Sequence, residues 1–297
     1  MPIQFRTYSD KTRLGEDYRK LRDFLIDLDD CNYSFGRWDW MVTHSMLEEK
    51  GLSKIGIWED SGKIVALATY DTRMDGKCFF ARQKGYDHLL CGMIAHAEEN
   101  LAGEGPARLA IRDGDEAFQA AADRMGFVPT QENDGDAVFP IDGREIRYTL
   151  PEGFAITSMR DSPDYYKYGE VLWKGFNHEQ NGEGPFAPTA QDLQSLRNLF
   201  DRPNCNASIK IAVVAPDGNF VSYCGMWHDP ACRSAIVEPV ATDPAYRKMG
   251  LGRAAVLEGV RRCGELGAER AFVGSSQQFY YQIGFRPFAT SSFWAKR

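Results

Sequence analysis

The chain lacks most of the short motifs that announce a chemistry. It has no C-x-x-C, no H-E-x-x-H, no G-x-x-x-x-G-K-[ST] phosphate loop and no G-x-S-x-G turn. These absences argue against a paired redox thiol, a zincin, a Walker-type nucleotide site and an α/β-hydrolase nucleophile. Histidine is scarce: His44, His88, His96, His178 and His228 form no ligand spacing, and no metal is expected. The seven cysteines, Cys31, Cys78, Cys91, Cys205, Cys224, Cys232 and Cys263, are odd in number and scattered, as in a reduced, cytoplasmic protein with buried thiols. No apolar run reaches membrane-spanning length, and the opening Met1-Pro2-Ile3-Gln4-Phe5-Arg6 does not read as a signal peptide. Positive charge is not in excess. The net charge is −7, which excludes a general polyanion binder and leaves cationic substrates open.

What is present is globular. Hydrophobic residues make up 43%, charged residues 26% and aromatics 12% of 297 residues, enough for two domains of ordinary size or one large one. Two stretches align with each other. Met125-Gly126-Phe127-Val128-Pro129 and Ile283-Gly284-Phe285-Arg286-Pro287 lie about 158 residues apart. Each follows a short helical stretch, and each of those follows a strand (107–112; 270–274). Upstream of each strand is a longer helix (86–101; 251–266), and before that a strand pair joined by a turn (55–59 with 64–72; 209–214 with 220–228). Four matched elements in the same order indicate duplication of a whole domain. Turn chemistry at Asp142-Gly143 and Pro151-Glu152-Gly153 sets the boundary, giving domains 1–145 and 146–297. Paired strands followed by strand–helix–strand imply a mixed sheet with helices packed on it, an α/β (α+β) class.

The chemistry concentrates in SAIVEPVATDPAYRKMGLGRAA, residues 234–255. An apolar strand ends at Asp243-Pro244, and Arg247-Lys248-Met249-Gly250-Leu251-Gly252 opens a helix. Glycines let backbone approach a ligand without a Cβ in the way. The first N–H groups of a helix lack internal partners, and with the helix dipole they make an anion site suited to a pyrophosphate. Arg247, Lys248 and Arg253 add positive charge. Gly250-x-Gly252-x-x-Ala255 also satisfies the dinucleotide pattern G-x-G-x-x-[GA]. Its context does not: seven residues separate strand from glycine, and only 45 follow Gly252.

The segment resembles the R-x-x-G-x-G acyl-coenzyme A loop of the GNAT acetyltransferase superfamily. The later Phe279-Tyr280-x-x-x-Gly284-Phe285 resembles that family's F-Y-x-x-x-G-F. The resemblance covers residues 154–297. The first half shares only the element order and Met125-Gly126-Phe127. It implies two GNAT-like domains in tandem, each a mixed, mostly antiparallel sheet flanked by helices. It further implies that Val240, Ala241 and Thr242 form a strand edge holding a pantetheine arm. The N–H groups of Lys248, Met249, Gly250, Leu251, Gly252 and Arg253 would cradle the pyrophosphate. Tyr280 falls at the family's general acid, a phenol able to protonate a departing thiolate; packing is its alternative role, and Tyr281 reads as packing. Glu238 falls where the family is often acidic and, by strand alternation, shares a face with Val240 and Thr242. It is a candidate base or a surface carboxylate, with His228 in reserve. Where the family often has Asn the chain reads Gly274-Ser275-Ser276-Gln277, so Ser275 is a candidate contact to the coenzyme.

In the first half the loop is Arg82-Gln83-Lys84-Gly85-Tyr86-Asp87, with Asp87 in place of the second glycine, read as an N-cap. Ala122 stands where the phenol would be. That half reads as a degenerate copy. Residues 34–40, rich in aromatics, read as core, with a pocket wall or the interface between halves as the alternative. Residues 177–188 read as a substrate loop or an ordinary surface loop, and Arg261-Arg262 as solvated surface, with a place near the coenzyme's 3′-phosphate as the further option. The expectation is an N-acetyltransferase using acetyl-coenzyme A as cosubstrate and a small-molecule or peptide amine as acceptor. No nucleic acid or membrane partner is expected, and a homodimer is allowed. The alternative is a non-catalytic acyl-coenzyme A-binding or scaffold protein.

Overall fold

The computed structural model describes every residue except 1, 2, 11, 31, 45 and 144. The Met1-Pro2 opening and Cys31 therefore lie outside the described residues. The first half runs β1 (Gln4–Thr7), α1 (Glu16–Leu28), α2 (Phe35–Thr43), α3 (Glu49–Leu52), β2 (Gly56–Asp60), β3 (Lys63–Thr69), β4 (Lys77–Arg82), α4 (Leu90–Asn100), β5 (Arg108–Arg112), α5 (Glu116–Arg124) and β6 (Phe127–Pro140). The second runs β7 (Ala155–Ser158), α6 (Tyr165–Gly175), α7 (Ala190–Phe200), β8 (Lys210–Val214), β9 (Phe220–His228), β10 (Ser234–Thr242), α8 (Leu251–Glu265), β11 (Arg270–Val273), α9 (Gln278–Gln282) and β12 (Arg286–Lys296). Strand, helices, three strands, helix, strand, helix and strand occur twice, so the duplication is present in the fold.

Local chemistry sets the boundaries. Ser61 and Gly62, with φ of 53° and 78°, supply the left-handed pair that a tight β2–β3 hairpin needs. Thr189 and Asp192 close a reciprocal capping box at the start of α7. Asp164 caps α6 by accepting from the Lys167 N–H at 3.0 Å.

The chain divides into two compact units: Met1–Ala137 with Gly274–Gln277 and Pro287–Arg297, and Val138–Val273 with Gln278–Arg286. The first unit takes β12 from the second half of the sequence, and the second unit takes the end of β6 from the first half. In the first, strands run β1-β2-β3-β4-β5-β12, antiparallel except for β4 with β5. Phe293 of β12 is fully buried there, beneath Lys77 and beside Phe79. Trp38, Phe35 and Tyr18 are buried in the same unit, so the aromatic run of α2 is core, with the Trp38 indole donating to Tyr18 O at 3.2 Å.

In the second unit the order is β11-β10-β9-β8-β7, antiparallel except for β10 with β11. The tail of β6 joins it: Phe139 packs on Phe285 at 5.4 Å between ring centroids, and the Ile141 N–H donates to Glu269 O at 2.7 Å. Tyr168 and Val171 of α6 pack with Phe220 and Tyr223 of β9 into one buried cluster. On α8, Gly259 allows close approach to the sheet, since a Cβ there would stand 2.6 Å from Met226 Cγ.

Arg261 and Arg262 are half-exposed, but their guanidinium groups are paired rather than free. Both grip Glu258, which is nearly buried on the same helix, and Tyr148 of the connecting segment donates to the same carboxylate at 2.8 Å. Arg262 also donates to Ser208 O, tying α8 to the residues before β8. Burial alone would raise the Glu258 carboxyl, but the bonds from Arg261, Arg262 and Tyr148 outweigh it and hold the group at about 2, below its ordinary 4.5. Stability from this cluster is therefore complete above about 4.5 and is lost as pH falls toward about 2. Glu258→Gln should lower unfolding free energy at neutral pH by on the order of 3 kcal/mol. It should also flatten the acid-side loss in urea titrations repeated at falling pH. An acid limb as steep as wild type would contradict this.

Candidate functional site

The second unit holds a parted pair of strands. β10 pairs with β11 only through Ser234, Ala235 and Ile236. On its other side β10 pairs with β9 along its length, with one extra residue between Val237 and Val240. That bulge lies at Glu238-Pro239, where proline can donate no ladder hydrogen bond. Gly225 opposite makes room for it, because a Cβ there would lie 2.4 Å from Glu238 O. Beyond the bulge, among the described residues, Val240, Ala241 and Thr242 have a strand partner only in β9.

The loop after β10 closes on this edge. Asp243 caps a short turn by accepting from the Ala245 N–H at 2.9 Å. Gly250 then takes φ of 83°, a conformation that suits glycine, and α8 begins. The first N–H to bond back is that of Ala254, to Gly250 O at 3.0 Å, so the N–H groups of Leu251, Gly252 and Arg253 are left to an outside acceptor. Gly252 is buried against the edge: a Cβ would stand 3.0 Å from Thr242 Oγ1 and 3.4 Å from the Phe279 ring. Thr242 Oγ1 lies 2.8 Å from Ser222 Oγ, whose hydroxyl also donates to Ala241 O. Lys248, Met249 and Arg253 are exposed at the helix start.

Arg247 has a different task from adding charge at an anion. Its guanidinium donates to Thr242 O at 3.3 Å, Gly175 O at 2.9 Å and Asn177 Oδ1 at 2.8 Å. It ties the glycine loop to the end of α6, where Gly175 lies against Ala241. The segment after α6 folds on itself. His178 stacks on Trp173 at 4.2 Å and meets Glu183 at 2.8 Å, while the Trp173 indole donates to Gly184 O.

Tyr280 of α9 is buried, with its ring against Phe279 and Phe285. Among the described residues its hydroxyl has no hydrogen-bond partner. Burial pushes this phenol above its ordinary 10, and Cys224 and Glu238 add to the shift. Glu238 therefore acts electrostatically on Tyr280. The bulge lies at Glu238-Pro239, so simple alternation along β10, which sequence reasoning used, does not run through Glu238. His228 lies at the far end of β9, its ring nitrogens 3.2 and 3.3 Å from Ser234 O and Leu266 O. Ser275 groups with the first unit, where it accepts from the Gln277 N–H, and is not among the residues the second unit brings together.

Residues 173–285 match the family model described as Acetyltransferase (GNAT) family. This segment is similar to the domains of that family. Solved structures share the fold across the chain. A GCN5-related N-acetyltransferase from Sphaerobacter thermophilus superposes with a TM-score of 0.61 at 13% identity, covering 99% of this chain and 95% of that one. A GNAT-family acetyltransferase from Colwellia psychrerythraea gives 0.58 at 12%, covering 99% and 100%. A tandem GNAT protein of the clavulanic acid biosynthesis pathway gives 0.54 at 10%, covering 99% and 98%. No curated protein matches the chain by sequence. The chain thus has the fold of a tandem GNAT protein.

The first GNAT-like unit parts its strands too, since β4 pairs with β5 only at Lys77 and Cys78. There the opening is occupied by the chain's own charges. Arg82 donates to Asp115 at 2.6 and 2.9 Å and to Asp87 at 2.7 Å. Asp87 is not the N-cap expected of it: it begins a 3-10 turn over Asp87–Leu89, and its carboxylate is spent on Arg82. The described residues contain no cluster able to hold a metal ion, and no helix among them is long and apolar enough to cross a membrane.

The Tyr280 environment makes one titration distinctive. The absorbance difference between wild type and Tyr280→Phe should show no tyrosinate step at the ordinary phenol value of 10, the step lying at higher pH. A step at the ordinary value would show that the phenol is solvated.

Proposed function

We propose that residues 146–297 transfer an acetyl group from acetyl-coenzyme A to a primary amine of a small molecule or peptide by direct attack, in the cytoplasm. Residues 1–145 are then a degenerate copy without transfer of their own. The observation that carries this is the convergence, in one unit, of a one-sided strand edge, an uncapped helix start and a buried phenol that feels the charge of Glu238.

The residues fit the coenzyme. Gly252 keeps open the narrow gap between helix start and strand edge that a Cβ would fill. The N–H groups of Leu251, Gly252 and Arg253 suit a pyrophosphate, with Lys248 and Arg253 supplying charge. The edge Val240–Thr242 suits the amide-bearing arm. Acetyl-coenzyme A supplies the acetyl group as a thioester. Tyr280 holds its proton at the hydroxyl oxygen and releases it to the departing sulfur; a phenol kept neutral by burial is suited to that donation. Glu238 takes the proton of the incoming ammonium, directly or through water. A non-catalytic acyl-coenzyme A carrier would need the loop but not a buried phenol under the influence of a carboxylate, and this favours the enzyme.

A screen of amines with acetyl-coenzyme A, read by thiol release, tests the reaction. With an acceptor in hand, Tyr280→Phe should lower kcat roughly 10²–10⁴-fold with little change in KM. The half-exposed Tyr281→Phe should be close to wild type. Near-normal turnover in Tyr280→Phe would remove the phenol from the chemistry. Calorimetry should find one acetyl-coenzyme A per chain, abolished by Gly252→Asp, because Arg82 of the first half is already neutralised. Two equivalent sites would overturn the assignment of roles to the halves.

A further inference from the structure

A buried lysine lies behind the bulge of β10, outside the chemistry so far described. Lys210, the first residue of β8, is 3% exposed. Its ammonium donates to Met226 O at 2.8 Å and stands 3.3 Å from the centroid of the Trp227 ring. Trp227 is buried as well, and its indole N–H donates to Glu238 O at 2.9 Å. Lysine is among the side chains least often buried, and an ammonium taken from water needs partners. The same position on a buried strand would take an aliphatic residue with no such requirement.

The register shows what this arrangement does. The bulge pushes Glu238 O toward Gly225 and out of the regular β9–β10 ladder. A buried carbonyl must find a donor, and the Trp227 indole supplies it. The plane of an indole decides where its N–H points. A cation held against the ring face fixes that plane, and the Met226 carbonyl fixes the cation. Three links therefore run from Lys210 to the backbone of Glu238.

We propose that Lys210 and Trp227 are positioning residues: the ammonium clamps the indole, the indole holds the Glu238 carbonyl, and the held peptide aims the Glu238 carboxylate. The proposal rests on Glu238 being the base of the acetyl-transfer reading, and its first readout does not depend on that activity.

Two variants separate the links. Trp227→Phe keeps a ring face for Lys210 and deletes the N–H. Lys210→Met keeps the stem and deletes the charge, with Lys210→Arg restoring it. The Glu238 carboxyl is followed by NMR titration in glutamate-labelled protein, assigned with Glu238→Gln. In both deleting variants its midpoint should move by about half a pH unit or more, and in Lys210→Arg it should return toward wild type. In the active enzyme kcat should fall about tenfold, its pH profile should move with the carboxyl midpoint, and KM for acetyl-coenzyme A should stay within about twofold. An unmoved midpoint in cooperatively folded variants overturns the proposal. Should Lys210→Met not fold, Trp227→Phe decides alone, since it keeps both ring and charge. A wild type that transfers no acetyl group would sink the proposed function, and the carboxyl titration would still decide the positioning role. An active wild type whose variants keep its pH profile would leave the function standing and end this proposal.

Discussion

The second unit is organised by one constraint: β10 cannot stay paired on both sides. Its parallel partner β11 is left at Ile236, and the extra residue at Glu238-Pro239 turns the strand before it continues alongside β9. A sheet interior normally satisfies backbone groups on both flanks, so parting two strands in mid-sheet has to be compensated locally. The compensation is visible at each level. Gly225 yields space to the displaced carbonyl, Trp227 donates to it, and Arg247 secures the far end of the strand to the end of α6. What results is a strand edge open on one flank with a helix start at its end.

The same parting occurs between β4 and β5, which shows that the cleft belongs to the fold, while its use depends on a few side chains. At the mouth of the first cleft one arginine meets two carboxylates. At the mouth of the second, Gly250 and Gly252 leave backbone N–H groups uncovered and Arg247 is drawn aside by carbonyls. A duplicated scaffold has thus been given opposite electrostatics. Carboxylates meet the arginine of the first, and the second has a helix start with no side-chain cap.

Much of this was legible in the sequence because it rests on local chemistry. Gly250 and Gly252 announced a helix start without side-chain cover, and the spacing of Tyr280 to Gly284 placed a phenol at the end of a short helix. Local rules failed where a residue answers to distant neighbours. Alternation put Glu238 on the face of Val240 and Thr242, but a bulge resets the period, and nothing in the residues of β10 apart from Pro239 signals it. Asp87 had the composition of an N-cap and was claimed by Arg82 across a turn. Arg261 and Arg262 looked like surface because their partner, Glu258, lies on the same helix and gave no hint of burial. Lys210 was unreadable for a similar reason, since lysine at a strand start is ordinarily solvated.

The least legible feature is the crossing of β12 and the end of β6 into the other half's unit, and it gives the first half a part in the second unit. Phe139 closes β6 at the end of the first half, yet it packs on Phe285, and Phe285 packs on Tyr280. Gly284 must lack a Cβ for this, since one would lie 2.9 Å from the Phe139 ring. The Gly-Phe step after α9 is thus shaped by a residue some 140 positions earlier in the chain. A half cut at residue 145 would lose the ring that backs its own phenol, and the first unit would lose Phe293 from its core. Within the second unit, packing thus links the step that follows Tyr280 to the end of β6.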